Sequence, residues 1–478
     1  MLIKKKNNFD KQILIVYIVL TLSTLAVFWQ VRSFDFVNFD DTTYVTINDH
    51  IKSGLSLGGL RWSFSTFDAD FWHPLTWLSF MLDYQRYELN PGGYHMTNLI
   101  LHVLTTLLLF WLLNRMTDSV WRSAFVAAAF ALHPLHVETV AWIAKRKDVL
   151  CAFFWMLTLC LYVLYREKQS IKRYLFVLFS FFLALLSKSM VVTLPIIMIL
   201  LDYWPLGLFR FQKGETNALL KQLIEKTPFF ILSAIFSIIT IYARPYLKTL
   251  SEDHDFYIYL LISRLANAPI SFITYLEKTF WPRDMAVYYP FALQIHVWKF
   301  LGSVILIIII SFGVVKAMKR LPCLFVGWLW YFITILPVIG IMQVSPRIQS
   351  DNYTYLPSIG IFIMVAWGIP LLVSREEIQK KILFPLSIII LTVLAILSWQ
   401  QCGHWKNSIE LWNHTLRVTK NNYMAHNSLA LFLAENGRKE EAIEHFSRVI
   451  SIKPKVAMSY FNRGICYCEI GKYHPAIL

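Results

Sequence analysis

Two adjacent carboxylates, Asp40 and Asp41, stand in the stretch Asn38-Phe-Asp-Asp-Thr-Thr-Tyr44. Neighbouring carboxylates repel, so at least one is expected to hold a proton, a metal or a hydrogen-bond donor. In the functional reading one of them takes a proton as general base, while the other orients it or helps to hold a divalent metal. The plainer alternative is a solvated turn or helix cap ahead of Thr42 and Thr43. A second constellation runs His133-Pro-Leu-His136-Val-Glu138, followed by Lys145-Arg-Lys147-Asp148. Two histidines three apart on a helix, with Glu138, could bind zinc, although no fourth ligand is evident. Lys188, between Ser187 and Ser189, and the segment containing Arg347, Asp351 and Tyr353 add further polar residues. Acid in one loop and cations in others suit transfer of a group off a phosphate. The carboxylate accepts the acceptor's proton, and the cations stabilise the departing phosphate.

The elements that must position these residues are membrane spans. The 478 residues are 56% hydrophobic and 16% charged, with mean hydropathy +0.50. A soluble chain is roughly 45–50% apolar and about 25% charged. Uncharged runs such as 13–31 and 382–400 reach the roughly 20 residues that cross a bilayer. Eleven such spans are predicted, near 13–30, 95–114, 121–141, 148–165, 174–188, 190–206, 227–243, 298–315, 321–342, 354–373 and 382–400. The first follows Lys4, Lys5, Lys6 and Lys11; it is too long and ends too bulky for a signal peptide, so it reads as an uncleaved helix. Each even-numbered span runs into a basic loop, with Arg115 and Arg122, Arg166 to Arg173, Arg210 to Lys226, Lys316 to Arg320, and Arg375 to Lys381. Lys and Arg are retained in short cytoplasmic loops, which places the N-terminus inside and the C-terminus outside. Residues 258–281, interrupted by Arg264, Glu277 and Lys278, read as an interfacial or re-entrant helix on the outer side.

On that topology most of the net charge of +15 fixes orientation, and nucleic-acid binding is the poorer explanation of it. The six cysteines have neither disulfide-framework nor zinc spacing. The residues that are difficult to explain structurally collect on the outer face. There the first loop, 32–94, is rich in aromatics, and two short interfacial helices are predicted within Leu55–Phe67 and Leu75–Leu82. Lys145 to Lys147 stand on the side where basic residues are not expected, which asks for an anionic partner; a lipid phosphate is the simplest.

The chain divides at about residue 403. Residues 1–403 form the polytopic domain. In 404–478 a 34-residue shift superposes Ala430 on Gly464, Gly437 on Gly471 and Ala442 on Ala476. Thirty-four is the tetratricopeptide period. One complete repeat is predicted over about 423–456, with partial repeats on both sides. A solenoid needs about three units, so the tail is expected to pack on the membrane domain or to belong to a longer array, the latter being favoured.

Several stretches together resemble the transmembrane and tetratricopeptide-repeat O-mannosyltransferases and their bacterial relatives. They are Asn38 to Val45, Trp72-His-Pro-Leu-Thr-Trp-Leu-Ser, Leu89-Asn-Pro-Gly-Gly-Tyr-His-Met-Thr-Asn-Leu, Ala131 to Ile143, Arg146-Lys-Asp-Val-Leu, Leu201-Asp-Tyr-Trp-Pro-Leu-Gly and Tyr353-Thr-Tyr-Leu-Pro. The resemblance implies an all-α GT-C glycosyltransferase fold, a polyprenyl-phosphate sugar donor, and an inverting single displacement in which Asp40 or Asp41 activates an acceptor hydroxyl. By position in the matching blocks, His73, His95, His136, Glu138, Lys147 and Asp148 become candidates for donor or acceptor binding, and Lys188, Arg347 and Tyr353 lie beside them. The chain departs from the family pattern at Ser189, where Lys-Pro is usual, and at Asn352, where an Arg is usual and could bind phosphate. Arg347 is the nearby candidate to replace it.

The function expected is therefore transfer of a sugar, mannose in the family's case, to a hydroxyl on protein at the outer or lumenal face, with the repeats recruiting the acceptor protein. The membrane would be the inner membrane of a bacterium or the endoplasmic reticulum of a eukaryote. The competing reading is a non-catalytic membrane scaffold in which the repeats bind partners and Asp40 only caps a turn. A transporter ranks last, because it would need charges at the midplane of spans that are nearly free of them.

Overall fold

The structure, a computed structural model, describes residues 11–210, 216–243, 254–290, 296–340, 349–373 and 375–474. Among these residues every regular element is helical. In chain order the helices used below are α1 (Lys11–Phe28), α2 (Leu57–Ser65), α3 (Pro74–Tyr87), α4 (Pro91–Thr117), α5 (Val120–Leu132), α6 (Val137–Ala141), α7 (Arg146–Glu167), α8 (Ile171–Ser187), α9 (Leu194–Tyr203) and α10 (Thr216–Glu225). They continue with α11 (Thr227–Tyr242), α12 (His254–Phe280), α13 (Val297–Ala317), α14 (Pro322–Ile335), α15 (Ser358–Leu372), α16 (Phe384–Gly403), α17 (Ser408–Val418), α18 (Tyr423–Glu435), α19 (Lys439–Ile452) and α20 (Ala457–Glu469).

Five described helical stretches are long and apolar enough to cross a membrane: Lys11–Ser33, Pro91–Thr117, Ile143–Glu167, Val297–Ala317 and Gln379–Gly403. Two bent pairs, α5 with Pro134–Ala141 and α10 with α11, raise the number to seven. Shorter apolar helices follow at Ser189–Tyr203, Pro322–Ile335 and Ser358–Leu371. Helices α13 and α16 keep most of their Ile, Leu and Phe side chains exposed, with Ile307, Ile310 and Leu391 turned to the core, as suits helices with one side to lipid. This is a multi-pass membrane protein. Its core runs through α4, α7, α8 and α14–α15. Gly327 of α14 and Gly360 of α15 let two backbones cross so closely that a Cβ on either would fall on the other's carbonyl oxygen.

The segment predicted as one span over 121–141 is broken. Pro134 supplies no N–H and disfavours helix at the residue before it, and the axis turns by 53° there. The chain then winds through α6, which carries Glu138, and a short turn ending at Lys145 before α7 begins at Arg146, and Glu138 and Lys145 to Asp148 are all buried. In the first loop, α2 is half exposed through Leu57, Leu60 and Phe64, whereas α3 buries Trp77, Phe80 and Met81. The second short helix therefore belongs to the core rather than lying on a surface, because its apolar stripe faces α4 and α8. Residues 258–280 of the predicted 258–281 segment fall within α12, a 27-residue helix with Pro269 inside it.

The last four helices pack as successive neighbours, α17 on α18, α18 on α19 and α19 on α20. Helices α18 and α20 start and end 34 residues apart, and Gly437 and Gly471 follow them at the same offset with φ of 79° and 78°. That left-handed backbone is open to glycine without steric cost. The tail also packs on the membrane domain: Trp405 stacks on Trp142 and Trp412 meets Phe39.

Candidate functional site

The acidic pair divides its roles. Asp41 is 1% exposed; its Oδ2 accepts from the Val37 N–H at 3.0 Å and its Oδ1 from the Ala144 N–H at 2.9 Å. It precedes the helical turn Thr42–Thr46 without capping it, so the capping reading does not describe it. Burial pushes its carboxyl up to about 7, against the two backbone donors that pull it down, and the Asp40 charge adds to the rise. Asp40 is half-buried, and its carboxylate acts electrostatically on both Asp41 and Lys147.

The clip from Asp41 to Ala144 brings the first loop against the start of α7. There Lys147 donates to the Tyr44 hydroxyl at 2.7 Å and lies over the Tyr44 and Phe71 rings. Tyr44 in turn stacks on His73 and Trp77. His73 is 2% exposed, and its Nε2 has no hydrogen-bond partner among the described residues. Burial, aided by the charges of Lys147 and Lys188, holds its imidazole well below the usual range, so it is neutral at physiological pH.

Lys188 pairs with Asp148 at 2.6 Å. Asn352 Nδ2 reaches the same Asp148 oxygen at 3.4 Å, while Asp148 Oδ2 is left without a hydrogen bond. Tyr353 lies in the field of Lys188. Glu138 accepts from the Ser350 hydroxyl at 2.8 Å and the Asn352 N–H at 3.3 Å, with Lys145 at 3.6 Å. Arg146 pairs with Asp83 at 2.6 Å and donates to Asn98.

These basic residues thus find most of their anions within the chain: Glu138 for Lys145, Asp83 for Arg146, Asp148 for Lys188. Lys147 is different. No carboxylate among the described residues lies within ion-pair distance of it, and it is buried in the combined field of Lys145, Lys188, Asp40 and Asp148. Isolated buried cations are costly, and the neighbouring His73 Nε2 and Asp148 Oδ2 are buried polar atoms lacking partners. Together they describe a buried polar cluster whose hydrogen bonding among the described residues is incomplete.

The structure therefore brings Asp40, Asp41, His73, Glu138, Lys147, Asp148, Lys188 and Tyr353 into one region. His95 stands apart, edge-on to Phe34 and in the field of Arg146. His136 is tied to the Phe130 carbonyl at 2.7 Å and the Ser358 hydroxyl at 3.0 Å, and His133 to the Thr279 carbonyl at 2.9 Å. The zinc arrangement with Glu138 is not formed, since these rings engage other partners. Among the described residues no three His, Cys, Asp or Glu gather as a metal would need. A divalent metal at Asp40 and Asp41 would find one of its two carboxylates already engaged by backbone donors, so these residues do not fit one. Arg347 lies outside the described residues. Tyr44, Asp83, Asn98 and Ser350 were not singled out from the sequence. Only Tyr44, one helical turn past Asp40 and bonded to it through the backbone at 3.0 Å, carried a local signal.

The opposite end holds a second charged layer. Asp202 binds Lys226 at 2.6 Å and the Tyr162 hydroxyl at 2.6 Å, Arg166 pairs with Glu225, and Arg115 with Glu167. These are the loops the positive-inside rule assigns to the cytoplasm.

The family model for dolichyl-phosphate-mannose-protein mannosyltransferases matches residues 93–211, which include α7 and Lys188. The Caenorhabditis elegans protein O-mannosyl-transferase F38B6.6 is 24% identical over 88% of this chain and 60% of its own length. Human protein O-mannosyl-transferase TMTC1 is 25% identical over 89% and 54%, and mouse TMTC4 24% over 86% and 63%. The chain thus spans less than two thirds of the curated relatives it matches. Apolar helices around a buried charged cluster and these matches define the class: a multi-pass membrane protein related to glycosyltransferases. Within that class, the chain is a relative of the transmembrane and tetratricopeptide-repeat O-mannosyltransferases, the family its motifs resemble.

Proposed function

We propose that the protein is an inverting GT-C glycosyltransferase that moves a sugar, mannose by analogy with its relatives, from a polyprenyl phosphate to a protein hydroxyl at the outer or lumenal face. The observation that carries this reading is Lys147, a buried amine in the field of Asp40, bonded to the Tyr44 hydroxyl and with no carboxylate of the described residues in ion-pair reach. Asp40 is the general base. Its carboxylate is half-buried, whereas Asp41 is 1% exposed with both oxygens fixing the loop. As the hydroxyl loses its proton to Asp40 and attacks the sugar, the bond to the phosphate breaks, and Lys147 stabilises the charge that develops on the departing phosphate. Neutral His73 donates or accepts a hydrogen bond through Nε2. Lys188 is neutralised by Asp148 and orders the polar cluster. Asn352, where the family has Arg, supplies a neutral donor to Asp148 instead of a cation.

An apolar cavity of about 310 Å³ between α12, α13, α14 and α15 supports a lipid donor. Leu276 and Phe280 line one part of it, flanking Lys278, which pairs with Asp351 beside Asn352. Hydrocarbon in that cavity would keep the phosphate near the polar cluster. The tail, read as a tetratricopeptide solenoid, offers a surface for the acceptor protein.

The test is sugar transfer in membranes carrying labelled polyprenyl-phosphate mannose. General-base loss typically costs about 10²–10⁴ in rate, so Asp40→Asn should reduce turnover by that order. Unchanged transfer in Asp40→Asn would remove the base assignment, and absence of transfer by the wild type with any acceptor would favour the scaffold reading.

A further inference from the structure

The tail does more than stand beside the acidic loop. Asn38, two residues before Asp40, uses its main chain and both side-chain polar atoms on tail residues. Its N–H donates to the Ser408 hydroxyl at 2.9 Å, its Nδ2 donates to the Ser428 carbonyl at 2.8 Å, and its Oδ1 accepts from Trp412 Nε1 at 2.8 Å. Asp35 N–H adds a bond to the Lys406 carbonyl at 3.0 Å. Phe39, between Asn38 and Asp40, lies flat on Trp142 and edge-on to Trp412. The loop is therefore gripped from two sides: by Asp41 on Ala144 of the membrane domain, and by Asn38 on α17 and α18 of the tail. Trp412 and Ser408 are fully buried at this junction.

We infer that Asn38 is a positioning residue for Asp40, and that the first two tail helices form part of the support of the reaction centre as well as a surface for the acceptor. This rests on the reading of Asp40 as the base. Three bonds from Asn38 on one side and the Asp41 bond to Ala144 on the other fix the loop's two flanks, leaving Asp40 between them with little freedom. Displacement of a reacting group by about 1 Å can cost 10²-fold in rate. Recruitment alone makes a different statement, since a tail that only collects acceptor would alter its apparent affinity and leave turnover untouched.

The experiment uses the full chain in membranes, labelled polyprenyl-phosphate mannose, and a short soluble Ser/Thr peptide as acceptor. Asn38→Ala and Trp412→Phe should each lower kcat by about tenfold, in keeping with the loss of a buried hydrogen bond that leaves its partner unsatisfied. KM for donor and for peptide should stay within twofold, and melting curves in detergent establish that each variant is folded. Because the bond removed in Trp412→Phe is one of those already lost in Asn38→Ala, the double variant should be no slower than Asn38→Ala, whereas independent structural damage would multiply. Wild-type kcat in Asn38→Ala alongside a strong loss in Asp40→Asn overturns the positioning role alone. Multiplying losses, or an effect confined to peptide KM, overturn it as well. Wild-type turnover in Asp40→Asn overturns the base reading and the positioning role with it.

Discussion

Asp41 is spent on the loop itself, with both carboxylate oxygens engaged by backbone N–H groups. Its carboxyl is buried, repelled by Asp40 and held by two N–H donors, with the balance raising it to about 7. An acid whose folded-state value is raised binds its proton more tightly when folded than when unfolded. Its favourable contribution is therefore complete below the ordinary carboxyl range near pH 3.8 and is lost as the pH rises through about 7. The melting temperature of the wild type should accordingly carry a descending component between those values. Asp41→Asn, which does not titrate, should flatten that component; a profile identical to wild type would show that Asp41 ionises as an ordinary exposed acid. The sequence pointed to the pair because adjacent carboxylates repel. It could not separate the two roles, because the Ala144 N–H that engages Asp41 lies 103 residues away in the chain. The same limit applies to Lys145 and Arg146, whose partners Glu138 and Asp83 became visible only when the broken span and α3 met.

At the scale of elements, the crossing of α14 and α15 connects packing to the site. Gly360 lies shortly after the turn Asp351–Thr354, which presents Asn352 to Asp148 and Glu138. A Cβ at Gly360 would strike the Gly327 carbonyl and approach Tyr331 N at 2.9 Å. Backbone cannot yield as a flexible side chain does, so Gly360→Ala should push the helices apart and destabilise the protein by about 1–3 kcal/mol, the usual range for overpacking. Thermal unfolding in detergent and the transfer assay should both register it. Gly302→Ala in α13 is the matched control, because nothing lies within 4 Å of its added Cβ and a small gain of up to ~1 kcal/mol is expected from helix propensity. Equal effects of the two substitutions would remove the crossing from the argument. The long apolar helices α1, α4, α7, α13 and α16 were legible because apolar runs are local in the chain. The bend at Pro134 was visible as a residue but was absorbed into a span, since length and hydropathy alone do not register a missing N–H. The 34-residue spacing of α18 and α20 was legible too, whereas the contact of α17 with Asn38 had no local signature.

For the molecule as a whole, the two charged layers make orientation the decisive property. The layer with Asp40, Lys147 and Lys188 shares its end with the tail, as the contacts of Asn38, Phe39 and Trp142 require. The layer with Arg115, Arg166 and Lys226 occupies the other end. If basic loops are retained in the cytoplasm, the acidic loop and the tail face outward together, which is where an acceptor protein would be met. The cysteines provide a clean reading of this. Cys151, Cys160, Cys323, Cys402 and Cys466 are buried, and Cys468 on α20 is exposed. A membrane-impermeant maleimide applied to intact cells or right-side-out vesicles should label the wild type, and Cys468→Ser should abolish most of that label. Labelling of Cys468 only after the membrane is opened would place the tail inside. Because the tail and Asp40 are joined through Asn38, that result would carry the reaction centre inside with it, and a donor presented on the outer leaflet would then be out of reach.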